Sequence, residues 1–309
     1  MLNRFDFLPL VLVAMLLLAK SALAANEVPT QFLQQPGIVN TRHNMSQSTE
    51  QSNAGGTMNA FRNRYGEVCV YCHTPHGANT DAAAPLWNRA LPTSTVYTTY
   101  DKLNTSTLTQ TVYQPGAASL PCLSCHDGSQ ATDAIINMPG AGQWSPTPDP
   151  SAWVPFAAGQ SKSGQHRTLL ACMACHASDG GPAGLGVGVA TDFTAFVIGT
   201  DLRNDHPVGV TFPLVSGVGT DWKTPGGTKV VGSLTNKFFD ETPNGRMDKG
   251  EIRLYDSGNG PSVECASCHD PHGVPSGVAA TSSTGIYNFP TFLRKANTAS
   301  AVCLTCHAK

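Results

Sequence analysis

Apolar positions are unevenly distributed along this chain. Leu8 to Ala19 run almost wholly apolar behind a short segment, Met1 to Phe7, that carries Arg4. Ala22-Leu23-Ala24 then supply a small-residue cleavage pattern, so residues 1–24 read as a secretory signal peptide. No later run reaches the roughly 20 apolar residues that a membrane-spanning helix needs. Past the leader the pattern thins. Residues 25–309 hold 52 Leu, Ile, Val and Phe, or 18%, below the level of roughly 20% at which a chain struggles to fold on its own. β-like stretches occur at Val208–Phe212, Lys229–Leu234 and Glu251–Tyr255, while Gln143–Pro155 and Ala177–Val189 are too rich in Gly and Pro for long helices. The pattern predicts a mostly irregular chain with short helices and a few short β-strands.

Charge narrows the choice. Without the leader the chain carries 17 Lys+Arg and 20 Asp+Glu, a formal charge of −3. That balance lacks the basic excess of a nucleic-acid binder and the high net charge that accompanies disorder. An exported chain of this length, short of core-forming side chains, needs another hydrophobic mass to fold around.

The cysteines identify that mass. All ten fall into five C-x-x-C-H motifs: Cys69, Cys72 and His73; Cys122, Cys125 and His126; Cys172, Cys175 and His176; Cys265, Cys268 and His269; Cys303, Cys306 and His307. This is the attachment pattern of c-type haem, in which two thiols bond the vinyl groups and the adjoining histidine becomes the proximal iron ligand. Zinc would not require a histidine after every second cysteine. Five disulfides would leave those histidines unexplained. Five covalently bound haems are expected, in a linear array that replaces an aliphatic core.

Five further histidines, His43, His76, His166, His206 and His272, equal the number of distal ligands that five irons require. His76 lies three residues after His73, and His272 three after His269. Neither can easily swing to the opposite face of its own porphyrin, so each must serve another haem. His166, six residues before Cys172, points the same way. With both axial positions filled, no iron is left open to a substrate.

The chain also repeats. CVYCHTPHG (69–77) and CASCHDPHG (265–273) are each followed by a simpler site, CLSCH or CLTCH, and preceded by a free histidine, His43 or His206. Within one pentahaem unit, residues 25–309, this gives two two-haem modules, about 38–140 and 200–309, around a one-haem insert, about 141–199. A second metal is suggested by DETPNGRMDKGE (240–251). It matches a calcium loop with Asp240, Thr242, Asn244, the Arg246 carbonyl, Asp248 and Glu251 as ligands and Gly245 at the sharp turn, Thr242 being the departure.

T-R-H-N-M-S around His43, CVYCHTPHGA, PLWNR (85–89), CLSCHDG, NDHPVGV around His206, VECASCHDPHG and the final CLTCH together resemble a family of exported cytochromes with doubled haem motifs. It is the family of OmcE/OmcS-type outer-surface cytochromes of metal-reducing bacteria and related archaeal cytochrome filaments. The resemblance covers most of residues 38–309 and is weakest over 140–200. It implies a non-enzymatic electron conduit: an extracellular filament of stacked bis-histidine haems, in which His43 ligates a haem of the adjacent subunit. Other redox proteins or extracellular electron acceptors would be its further partners. Five haems depart from the four- and six-haem members. A monomeric periplasmic or surface shuttle is the alternative. A multihaem reductase would need one open haem, and no C-x-x-C-K motif occurs.

Overall fold

In the computed structural model, the structure describes residues 38–41, 43–45, 67–132, 134–137, 169–170, 173, 196–273, 280–282, 285–287 and 292–308. Among the described residues three short α-helices sit on cysteine motifs: α1, Leu120–His126, α2, Cys265–Cys268, and α3, Cys303–Cys306. Cys69 to His73 makes a single turn of the same kind, the His73 N–H donating to the Cys69 carbonyl at 2.8 Å. Residues 1–24 and the third motif's Cys172, Cys175 and His176 lie outside the described residues, and among those described no helix is long and apolar enough to cross a membrane.

Five strands form one antiparallel sheet: β1, Val210–Thr211; β2, Gly227–Val231; β3, Leu234–Phe238; β4, Arg253–Asp256; and β5, Pro261–Val263. Their spatial order is β1-β5-β4-β3-β2. A separate pair joins β6, Ala280–Ser282, to β7, Gly285–Tyr287. Lys229–Leu234, expected as one strand, instead turns over. Gly232, at φ +62°, and Ser233 form a two-residue hairpin that pairs Val231 with Leu234. A positive φ at the first turn residue suits glycine and matches the twist of the flanking strands. Gly227 answers a different need. It faces Phe238 across the ladder, and a Cβ there would meet the ring at 2.1 Å. The expected segments at Val208–Phe212 and Glu251–Tyr255 overlap β1 and β4.

The aliphatic side chains gather in three small clusters. Phe212, Phe239, Ile252 and Leu254 pack with Trp222, Val263, Cys268, Val302 and Cys306. Val70, Tyr71 and Ile135 pack with Met45 and Cys72, and Tyr97, Leu123 and Leu202 with Leu120, Ile198 and Val208. Motif cysteines therefore line two of the clusters directly.

The repeat recurs in the backbone. Asn88 N–H donates to the Cys72 carbonyl and Arg294 N–H to that of Cys268; Thr74 N–H donates to Leu86 and Asp270 N–H to Phe292. The same bridges join His73 to Trp87 and His269 to Leu293, and both Leu86 and Phe292 hold positive φ, 55° and 58°. In each module, then, a returning segment clamps the first motif just after its histidine. Buried arginines close both clamps. Arg89 is fully buried and donates to the Ser124 hydroxyl and to the carbonyls of Ser124, Ala131 and Thr132. Arg294 donates to the carbonyls of Ala266 and Lys249 and to Asp270.

Leu254 is wholly buried, whereas Val230 on the edge strand is 63% exposed. Leu254→Ala should lower unfolding free energy by about 2–5 kcal/mol, and Val230→Ala by less than about 0.5 kcal/mol. Urea denaturation followed by circular dichroism measures both.

Candidate functional site

The fold brings two histidine pairs together from distant parts of the chain. The rings of His73 and His272 have centroids 5.9 Å apart and planes within 15° of parallel. Those of His43 and His126 are 6.1 Å apart at 65°. With metal–nitrogen bonds of about 2.0–2.1 Å and roughly 1.1 Å from nitrogen to ring centre, two imidazoles on opposite sides of one metal have centroids about 6 Å apart. Both pairs fit that separation. They are also neighbours, because the charges of His126 and His272 both act on His43.

Each of these rings is held by its Nδ1. The Nδ1–H of His73 donates to the Pro85 carbonyl at 2.7 Å, that of His126 to Phe196 at 2.6 Å and that of His43 to Pro271 at 3.0 Å. His272 donates to the Asp270 carboxylate at 3.3 Å, and His206 to the Pro207 carbonyl at 3.2 Å. A proton fixed on Nδ1 leaves the Nε2 lone pair for a metal, the arrangement by which outer groups orient metal-binding histidines. Burial holds the His126 ring toward its neutral form. Burial, reinforced by the charge of His126, lowers His43 to about 4.

The eight described cysteines are free thiols, and they follow one another through the molecule. Burial and then the nearby Cys125 push the Cys72 thiol up to about 12. Cys122 donates to Cys265, which raises Cys122 and lowers Cys265. Burial raises Cys268 to about 11 and Cys306 to about 12, with Cys303 close to both. The motif pairs thus run in the order 69/72, 122/125, 265/268, 303/306. Among the described residues no three His, Cys, Asp or Glu side chains gather as a metal-binding group, so the zinc alternative finds no four-ligand cage there.

A group that bears carboxylates and large apolar faces fits this surround. Burial leaves the Trp87 indole N–H without an acceptor, and the ring lies 6.0 Å from His73. An unmet buried donor costs about 1–3 kcal/mol, which a neighbouring carboxylate would offset.

The other candidates divide. His76 is exposed, and its ring has no described partner. His206 is exposed beside Pro207. The His307 ring lies 4.5 Å from Trp222. Cys172, Cys175, His176 and His166 lie outside the described residues. His43, expected to reach an adjacent subunit, packs here against its own chain, its Nδ1 on the Pro271 carbonyl. The segment carrying it is anchored by the buried Thr41 and Asn44, and its ring stacks on Phe292 at 4.3 Å.

The loop 240–251 closes through its own backbone. Asp240 accepts the N–H groups of Asn244 and Gly245, and the buried Glu251 accepts those of Glu241, Thr242 and Asp248. Asp248 accepts the Asn244 side-chain amide. These carboxylates are engaged in shaping the turn, Thr242 contributing its N–H.

Sequence reasoning missed Trp87, the Nδ1 acceptors and the buried Glu264. The acceptors carry no signal, since four of the five are backbone carbonyls. Glu264, immediately before Cys265, was visible as an acidic residue beside a motif.

Asp270 tests the support around His272. Burial alone would raise its carboxyl, but hydrogen bonds from His272 and the Arg294 charge hold it down to about 2. A depressed carboxylate contributes stability above its unfolded value of 3.8 and loses it as pH falls toward 2. Asp270→Asn should cost about 1.5–3 kcal/mol at neutral pH and shrink the loss of stability in that acid window, read by urea titrations at each pH. Comparison with protein-family models and with curated proteins finds no match to this chain.

Proposed function

We propose that this chain is an exported pentahaem c-type cytochrome that passes electrons between haems and catalyses no reaction of its own. The observation that carries the reading is the pairing of His73 with His272 and of His126 with His43, at the spacing of two ligands on one iron and with every Nδ1 turned away. In both pairs one member directly follows a C-x-x-C motif and the other comes from elsewhere in the chain.

Bound haem would supply a one-electron Fe(III)/Fe(II) couple. The protein's part is spatial. The motif cysteines would anchor each group, His73 with His272 and His126 with His43 would hold its iron, and the groups behind their Nδ1 atoms would fix the ring orientations. Filled axial positions favour electron transfer over a reductase, which needs an open one. The continuous run of cysteine pairs supports passage from one module to the other.

The inward turn of His43 favours a discrete carrier, periplasmic or at the cell surface, over a filament bridged through that residue. An end-to-end polymer would draw its bridging ligand from the exposed His76 or His206. The partners on either reading are redox proteins or extracellular acceptors.

The pyridine haemochrome assay and intact mass of the exported protein should show five covalent haems, and electron paramagnetic resonance should show only low-spin iron. His272→Ala should keep all five haems while converting one to high spin. Absence of covalent haem would overturn the cytochrome, and high-spin iron in the unaltered protein would revive the reductase.

A further inference from the structure

The two modules meet at a buried carboxyl group. Glu264 is 3% exposed. It stands at the N-terminus of α2, where the Ser267 backbone N–H donates to its side chain and its own N–H donates to the Ser267 hydroxyl. Across the junction, the Gly116 N–H donates to both of its oxygens, at 3.1 and 3.2 Å, and the Ser119 hydroxyl donates to Oε2. Ser119 in turn accepts the Cys265 N–H at 2.8 Å. Ser119 precedes α1 and Glu264 precedes α2, so this carboxyl knits together the approaches to two cysteine motifs.

Its electrical surroundings are one-sided. No lysine or arginine is among the groups acting on Glu264. Among the described residues, the titratable groups around the junction are the Cys72, Cys122, Cys125 and Cys265 thiols, which thioether formation would remove, Tyr97, on which Cys265 acts, and Asp205, whose negative charge reaches Cys265. A buried carboxylate without a cation is costly to ionise. Burial accordingly raises this one to about 7, against the stabilising donors Ser119 and Gly116. A helix cap alone does not require a carboxylate there. Serine, threonine or asparagine caps as well without the burial cost.

We propose that Glu264 is a proton-binding site coupled to electron transfer between the modules. This rests on the cytochrome reading. With haem held at Cys122 or Cys265, an electron supplied by a low-potential donor would lower the positive charge of the junction by one. That loss would favour the neutral acid, and the Glu264 carboxylate would take one proton from solvent. Reoxidation by the acceptor returns electron and proton together. Net charge at the junction is conserved in each direction, which lowers the electrostatic cost of moving an electron through a dry region.

The test uses the holoprotein. Haem is first counted in the unaltered protein and in Glu264→Gln; if neither holds covalent haem, the cytochrome reading falls and the proton site with it. With five haems present, spectroelectrochemical titration from pH 6 to 8 decides the proposal. One midpoint potential of the unaltered protein should shift by tenfold in equilibrium constant per pH unit, about 59 mV for one electron, falling as pH rises. Glu264→Gln should flatten that dependence, and Glu264→Asp should restore it with a displaced midpoint. A pH-independent unaltered protein, or an undiminished slope in Glu264→Gln, would overturn the proposal, the latter placing the proton on a haem propionate. Should the glutamine variant mature poorly, redox-difference infrared spectra of the unaltered protein decide alone. Reduction must produce a deuterium-sensitive carboxylic-acid C=O band, and absence of that band overturns the site.

Discussion

The hydrogen bond from a motif histidine N–H back to the carbonyl of the first cysteine is the contact on which most of this architecture hangs. It closes one helical turn in the first, fourth and fifth motifs, and α1 contains the second. The turn puts two sulfurs on one side and swings the histidine out beyond them. In the first and fourth motifs a returning segment then pairs with the residues just after the histidine, which prevents the turn from continuing as a helix. Helix stops and strand begins within one residue, so a short peptide fixes both the thiols and the ring.

Buried arginine does the work that leucine would do in a richer chain. Arg89 reaches from the first motif's clamp to Ser124 of the second motif and to the carbonyls at 131 and 132. Its planar set of donors satisfies several carbonyls at once, groups that a coil-rich fold would otherwise leave unmet. Arg294 does the same around the fourth motif, with Asp270 as counter-charge. Because Asp270 also holds His272, the second clamp is tied mechanically to a ring that belongs, by position, with the first motif.

The candidate site was legible in the sequence as residue types and spacing only. The motifs, the spare histidines and the shortage of aliphatic side chains are composition and spacing, and the three small clusters agree with that shortage. The partner of His73 was not legible beyond the inference that His272 must look away from its own motif. Which distant ring it meets depends on the register of the returning segments. Those segments differ in length between the modules and share little beyond apolar residues and an arginine. The β-like character of Lys229–Leu234 is met by the ends of two strands, between which Gly232 and Ser233 make the turn. The contacts of His43 within the chain were not legible either: a polar arm gives no sign that Thr41, Asn44 and Phe292 hold it.

The union of His73 with His272 has a temporal side. A chain synthesised from its N-terminus presents His73 early and His272 much later. The first motif must therefore pass through a stage with its ring unpartnered. Long-separated contacts of this kind form late and slow folding. The earliest motif to emerge would thus be among the last to be completed, and the C-terminal module would act as the closing piece for the one made first.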